Sequence, residues 1–276
     1  MGIPVPSTAA GRDGLAALLE RPERAVIALD FDGTLAEIVP DPDQARAHPA
    51  AVPALAAIAP LVGTVLVLTG RPAGVAVRYG GFADVPGLEH LVVLGHYGAE
   101  RWDAASGALH TPEPHPGVAA ARAELPDVLR ATVAAQGASL EDKGRAIAVH
   151  TRRATDPQAA FDALRAPLHA LAARHALIVE PGRLVLELRP PGMDKGVALA
   201  QFVRDVNAET VLYAGDDLGD LAAFGTVEQR RSNGQPGLLV CSGSAEVTEL
   251  ADRADLVVEG PRGVIDLLSA LAGALR

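Results

Sequence analysis

Ala25-Val26-Ile27-Ala28-Leu29-Asp30-Phe31-Asp32-Gly33-Thr34-Leu35 is the stretch that decides the fold. Five apolar residues run straight into two carboxylates set two positions apart. A short continuous apolar run closed by polar and glycine positions reads as a strand buried on both faces, which implies a parallel sheet. Packing does not explain the carboxylates. Burying one unpaired carboxylate is costly, and a second beside it raises the pKa of both. A cation or a reaction is the reason to keep them. In open α/β sheets, ligands sit beyond the carboxyl ends of the strands, where this pair lies.

Further runs of the same kind are Thr64–Leu68, Leu91–Leu94, Thr210–Ala214, Leu238–Val240 and Leu256–Val258, most of them separated by helix-length sequence. Helical patterns cover Gly14–Leu19, Pro49–Ala59, Asp194–Val206 and Pro261–Leu275. Ser244-Ala245-Glu246-Val247 resembles a helix-opening capping box, with the Glu one place early. The middle of the chain has another character. Ala146–His150 and Leu184–Arg189 alternate in part, as half-exposed antiparallel strands do. Asp156-Pro157 suits a helix start, and a helix is expected over Gln158–His175, kinked at Pro167. Thr111–Gly117, rich in proline, and Pro190-Pro191-Gly192 read as hinges. The expected fold class is therefore α/β. A doubly wound, mostly parallel core, residues 1–107 and 191–276, is split by an inserted α+β domain over residues 108–190.

The 276 residues are 49% hydrophobic and 21% charged, an ordinary globular balance, so disorder is not expected. Aromatics make up only 3%, which weakens any reading based on stacking nucleic-acid bases. The net charge of −10 argues against nucleic acid or an anionic membrane as partner, but not against a small anionic substrate in a locally basic site. Cys241 is the only cysteine, so neither an intrachain disulfide nor a cysteine zinc cluster is available. No signal peptide and no apolar run of the ~20 residues a membrane span requires are seen. A cytoplasmic monomer is the expectation. The eight histidines show no metal-ligand spacing, and His48, His110, His115 and His175 are expected to face solvent.

The expected strand ends collect a consistent set of groups: Asp30 and Asp32, Thr69-Gly70-Arg71, then Asp194-Lys195-Gly196 at a helix start, then Gly215-Asp216-Asp217-Leu218-Gly219-Asp220. In this order they resemble the haloacid dehalogenase superfamily of aspartate-nucleophile phosphatases. With Asp41-Pro42-Asp43, Gly98-Ala99-Glu100, Glu141-Asp142-Lys143 and Glu187-Leu188-Arg189-Pro190, the chain is similar to the trehalose-6-phosphate phosphatases from about residue 24 to residue 225. The resemblance implies a cap over a phosphatase core and a sugar phosphate as substrate. It makes Asp30 the nucleophile and Asp32 the general acid and base. Mg²⁺ is the implied cofactor, held by the Asp30 and Asp216 carboxylates and the Asp32 backbone carbonyl. Thr69 and Lys195 then grip phosphoryl oxygens, and Gly33 lies at the substrate. Asp217 and Asp220 hold metal-bound water or orient Lys195, unless they are simple caps. Arg71 serves either phosphate binding or a structural salt bridge. Glu141, Lys143 and Glu187 match sugar-binding residues of the cap, against the rival reading of a surface ion-pair set.

The chemistry agrees with that set. A phosphate monoester is a dianion and repels an anionic nucleophile, and a hard cation with oxygen ligands offsets this. A calcium loop is excluded in its usual form, because its further ligands and closing Glu are missing. A lysine at a helix start opposes the helix dipole, which favours a phosphate role for Lys195. The chain departs from the family pattern at Tyr97, where a histidine is usual, and at Gly219 and Leu221, where Thr and Glu are usual. These changes bear on the sugar more than on the reaction. Three rival readings remain: a phosphatase for another sugar or cyclitol phosphate, a non-catalytic sugar-phosphate-binding domain, and a phosphotransferase.

Overall fold

Ala25–Leu29 forms a strand with every residue buried, β1. It lies in the computed structural model of the chain, which describes residues 2–182, 184–243 and 248–276. Before it runs α1 (Ala9–Glu20), capped by Thr8. After it come α2 (Ala51–Ile58), β2 (Thr64–Leu68), α3 (Ala73–Gly80), β3 (Leu91–Gly95), β4 (Glu100–Asp103) and β5 (Leu109–His110). A second unit holds α4 (Pro116–Ala131), β6 (Ser139–Asp142), β7 (Ile147–His150), α5 (Pro157–Arg174), β8 (Ile178–Gly182) and β9 (Val185–Arg189). The first unit then resumes with α6 (Lys195–Asp205), β10 (Thr210–Gly215), α7 (Leu221–Ser232), β11 (Gly237–Gly243), α8 (Thr248–Arg253), β12 (Leu256–Glu259) and α9 (Gly260–Ala274). The units divide as Met1–Thr111 with Asp194–Arg276, and Pro112–Met193. The first boundary lies past residue 108 because Leu109 and His110 pair with Trp102 and Arg101 in the larger sheet. The expected capping box at Ser244–Val247 lies outside the described residues.

The first unit is built on an eight-stranded sheet, β12-β11-β10-β1-β2-β3-β4-β5, parallel from β12 to β3. Successive side chains of a strand point to opposite faces. Ile27, Leu29, Val65, Val67 and Leu212 therefore meet one apolar layer with α2, α3 and α9, while Val26, Ala28, Leu66, Leu68 and Val211 meet another with α6 and α7. Both faces are covered, which is why these strands read as unbroken apolar runs. The sheet is doubly wound around β1, whose neighbours are β2 on one side and β10 on the other. Their carboxyl ends form the switch point at which such sheets bind ligands. The antiparallel edge strands β4 and β5 were not legible as apolar runs, because Glu100, Arg101 and Asp103 carry charge.

The second unit is a four-stranded antiparallel sheet, β6-β7-β9-β8. Ile147, Val149, Leu186, Leu188 and Val179 turn one face into a core with Leu125 of α4 and Leu164 and Leu168 of α5. The opposite face carries the intervening residues. Its register aligns Glu141 with Ala148, Ala148 with Glu187, and Glu187 with Glu180. Helix α4 begins inside the expected linker, with Pro116 in its first turn and His115 accepting the Gly117 amide at 3.1 Å. Pro167 lies inside α5 and Pro126 inside α4, each helix continuing as one element. Burial of their apolar faces offsets a cost of about 3 kcal/mol for an interior proline. His48, His115 and His175 also differ from the expectation, since each is half-buried, and His175 pairs with Glu124 at 2.9 Å.

Candidate active site

The Asp30 amide donates to Ala214 O at 2.9 Å, carrying the β1–β10 ladder one residue past the strand and fixing where the Asp30 side chain begins. The chain then turns through Gly33, whose φ of 73° is left-handed and whose missing side chain matters. A Cβ there would lie 2.0 Å from Asp216 Oδ2. Only glycine lets this loop lie against the end of β10. From β11, the buried Ser242 hydroxyl donates to Gly33 O at 2.6 Å and pins the turn.

Asp194 caps α6 by accepting the Val197 amide at 2.8 Å, so Lys195 stands at the first helical position. Its side chain is buried. Nζ lies 2.9 Å from Asp30 Oδ1 and donates to Asp220 Oδ1 at 2.7 Å. Asp220, fully buried, accepts four bonds. Lys195 and the Tyr213 hydroxyl (2.6 Å) use one oxygen, and the Asp216 and Asp217 amides (2.9 and 3.2 Å) use the other. An ionised carboxylate has about four acceptor sites, so this one is filled.

Asp30, Asp216 and Asp220 bring carboxylate oxygens within 4.8 Å of one another, and among the described residues they are the convergent acidic group. Because Asp220 is filled, Asp30 and Asp216 are the side chains left to ligate a cation. Burial, with the charges of Asp217 and Asp220, pushes the Asp216 carboxyl up to about 8. Burial likewise drives Asp30 well above the usual carboxylate range, against the opposing pull of Lys195. Lys195 itself is held charged: burial opposes the ammonium, but Asp220 and Asp30 outweigh it and raise its pKa. Asp30 and Asp216 bring carboxylate oxygens within 4.8 Å of each other. Two buried carboxylates that close repel each other unless a proton or a cation lies with them. Three carboxylates against one ammonium leave two negative charges, and all the donors are hard oxygens. The donor set fits Mg²⁺.

Asp32 is turned elsewhere. Its half-exposed carboxylate takes two parallel bonds from Arg71, Nε to Oδ2 and Nη2 to Oδ1, both 2.7 Å. Thr69 is buried at the end of β2, its hydroxyl accepting the Arg71 amide at 3.1 Å. Asp217 is exposed and, with Asp220, forms a capping box for the turn Leu218–Asp220; its Oδ1 accepts the Gly219 amide at 2.8 Å. So one departure, Gly219, serves as the turn's donor, and another, Leu221, opens α7 against the apolar layer behind the sheet. The third lies beside Thr69. His96 and Tyr97 are consecutive left-handed residues, φ 48° and 56°, whose amides donate to Arg71 O and Thr69 O at 2.9 and 3.0 Å. The Tyr97 ring fills the space over Gly70, where a Cβ would come within 2.8 Å of it.

On the open face of the second unit, Glu141 meets His150 at 2.8 Å and Lys143 pairs with Glu187 at 2.5 Å. Glu187 Oε1 is buried with no hydrogen-bond partner among the described residues. Arg189, buried, reaches Glu180 at 2.9 Å on the same face. Sequence reasoning missed Tyr213, Ser242, His150 and Glu180. For Tyr213 a signal existed: a phenol in the middle of an apolar strand needs a polar partner.

The site sets an aspartate pair at the end of the central strand, a lysine opposite and an acidic loop on the neighbouring strand, in a fold similar to a haloacid dehalogenase-like hydrolase of Bacteroides thetaiotaomicron, with a TM-score of 0.59 at 16% identity, covering 88% of this chain and 98% of that one. The family model for trehalose-phosphatase matches residues 28–257. A probable trehalose-phosphate phosphatase of Sinorhizobium fredii is 32% identical over 225 residues, covering 80% of this chain and 80% of that protein. The trehalose-6-phosphate phosphatase of Escherichia coli is 31% identical over 215 residues, 72% of each chain. In fold, the structure of Aspergillus fumigatus trehalose-6-phosphate phosphatase is similar with a TM-score of 0.69 at 23% identity, covering 98% of this chain and 99% of that one. The chain belongs to the trehalose-phosphatase family.

Proposed function

We propose that the protein hydrolyses trehalose 6-phosphate to trehalose and inorganic phosphate with Mg²⁺. The observation that carries this is the buried group Asp30, Lys195, Asp216 and Asp220 at the switch point of the sheet. Asp30 Oδ attacks phosphorus, and the bond from phosphorus to the sugar oxygen breaks. Asp32 gives its proton to the departing oxygen, then takes one from the water that opens the Asp30–phosphorus bond, returning both groups to their starting state. Lys195 and the Thr69 hydroxyl hold the non-bridging oxygens, where transition-state charge spreads. The Asp30 and Asp216 carboxylates and the Asp32 carbonyl would hold Mg²⁺, which would supply positive charge against the repulsion of two anions. Gly33 keeps the loop close enough for that.

The second unit, residues 112–193, supplies sugar recognition. Carboxylates accept from sugar hydroxyls and an ammonium donates to them. Glu187 Oε1, buried without a partner, supports that use, since such an atom is costly to leave unmatched. The reading is of a monomer in a reducing compartment, in keeping with a single buried thiol, Cys241. Among the described residues no helix is long and apolar enough to cross a membrane.

Phosphate release across a panel of sugar phosphates, with and without Mg²⁺, tests the proposal. Release from trehalose 6-phosphate well above glucose 6-phosphate, and only with the metal, is expected. Equal rates on both would move the reading to another sugar or cyclitol phosphate, which the altered His96-Tyr97 turn beside Thr69 favours as the second candidate.

A further inference from the structure

We propose that Arg71 is the positioning residue of Asp32: its guanidinium holds the acid–base carboxylate in one orientation in its ionised form, the form that takes the proton from water, rather than gripping the phosphoryl group. The proposal rests on the reading of Asp30 as nucleophile and Asp32 as acid and base. Its ground is geometry. Both carboxylate oxygens are engaged at 2.7 Å by a two-pronged donor, the arrangement that fixes both distance and plane.

The two partners are unequally free. The Arg71 side chain is 15% exposed and that of Asp32 is 38% exposed. Arg71 is held on every side. Its amide donates to Thr69 Oγ1 at 3.1 Å and its carbonyl accepts the His96 amide at 2.9 Å. Its guanidinium carbon lies 5.9 Å from the Phe31 ring centre and 5.4 Å from that of Tyr79. The charge of Asp43 also faces it, and Asp43 accepts from the Tyr79 hydroxyl at 3.4 Å. Asp32 has a short side chain open to solvent, anchored at its tip by this one partner among the bonds seen. Remove the partner, and the carboxylate samples several rotamers. Small losses of alignment at a proton-transfer group cost rate far more than binding.

The left-handed turn at His96-Tyr97 belongs to the same device. Two consecutive non-glycine residues in that region are strained and persist only where the surroundings over-determine them. Here their amides bind the carbonyls of Arg71 and Thr69, tying the turn to the base of the arginine.

The test compares trehalose 6-phosphate with p-nitrophenyl phosphate, both with Mg²⁺, in wild type, Arg71→Met and Arg71→Lys. The sugar oxygen leaves only with a proton. p-Nitrophenolate leaves without one, but water attack on the phosphoaspartate needs a base in either case. For Arg71→Met we expect kcat on trehalose 6-phosphate to fall at least ~10²-fold, the scale of general acid–base help, with KM changed under about threefold. On p-nitrophenyl phosphate it should release a rapid burst of one p-nitrophenolate per enzyme, then turn over slowly. Arg71→Lys keeps the charge but not the fork, so it should fall nearly as far. A rise in KM with equal loss on both substrates and no burst would overturn the proposal in favour of phosphate binding. Unchanged kinetics with a lowered Tm would overturn it in favour of a structural pair. If Arg71→Met does not fold, Arg71→Lys carries the same readouts. Failure of the wild type on both substrates would instead overturn the phosphatase reading itself.

Discussion

The carboxylates at the switch point and those on the open face of the second unit differ in how completely they are tied down. Asp220 accepts four hydrogen bonds and Lys195 is flanked by two carboxylates, all of them buried. Glu141 and His150 form a pair with side chains 48% and 36% exposed, and Glu187 keeps one oxygen unmatched. Groups that must stabilise a transition state are held before substrate arrives, so nothing reorganises during reaction. On the second unit, Glu187 Oε1 keeps spare bonding capacity among the described residues. The energetics follow. Breaking a buried ion pair costs about 3–5 kcal/mol, while an exposed pair is worth about 0–1 kcal/mol.

The comparison can be broken at several points. Asp30→Asn should bring turnover to background with the fold intact, because Lys195 retains Asp220 and the amide can still accept from it. Phosphate release and circular dichroism on one sample check both parts, and substantial activity in pure protein would remove Asp30 as the nucleophile. Asp220→Ala strands Lys195, Tyr213 and two backbone amides, so a loss of about 3–5 kcal/mol in urea unfolding is expected. A loss below about 1 kcal/mol would mean that the network is not the support described above.

Next in size is the pH response. Asp216 has a folded-state pKa of about 8, against an ordinary value of 3.8. Between these values the folded protein holds a proton that the unfolded chain has lost, so without metal its stability falls as pH rises through the window. Mg²⁺ must displace that proton, so its apparent affinity should weaken up to about tenfold per pH unit below about 8. Titrations of Tm with Mg²⁺ at pH 6 and pH 8.5 check the sign; stronger binding at pH 6 would contradict it. The smallest effect belongs to the exposed Glu141. Glu187→Gln should raise KM for trehalose 6-phosphate about tenfold with kcat little changed, and should lower Tm because it removes the buried charge facing Lys143; Glu141→Gln should do less to both. A fall in kcat without a change in KM would show that this face serves more than sugar binding.

Much of this was legible along the chain. Six apolar runs appear as strands of the large sheet, and Asp30, Lys195, Asp216 and Asp220 stand together at the switch point, while Asp32 and Thr69 bond Arg71. Runs such as Val26–Leu29 are explicit in sequence because a strand covered on both faces leaves no polar position. The edge strands β4 and β5 were illegible for the converse reason, since their charged residues sit at the sheet margin. Helix α4 was masked by the prolines before and within it.

Residue identity and spacing alone determined the class of chemistry. Two carboxylates after a strand, a lysine at a helix start and an acidic loop after a later strand are local signals, and their order survives without coordinates. The order of those signals, through the family resemblance, also set the roles expected of Asp30, Asp32 and Asp216. What only the tertiary structure decided is which groups surround each carboxylate. Folding filled all four acceptor sites of Asp220, brought Asp30 and Asp216 together within 4.8 Å, and turned Asp32 toward Arg71. A carboxylate's role depends on what desolvates it and which donors reach it. Those partners come from distant elements, as with Lys195 of α6 against Asp30 after β1. No local pattern records them.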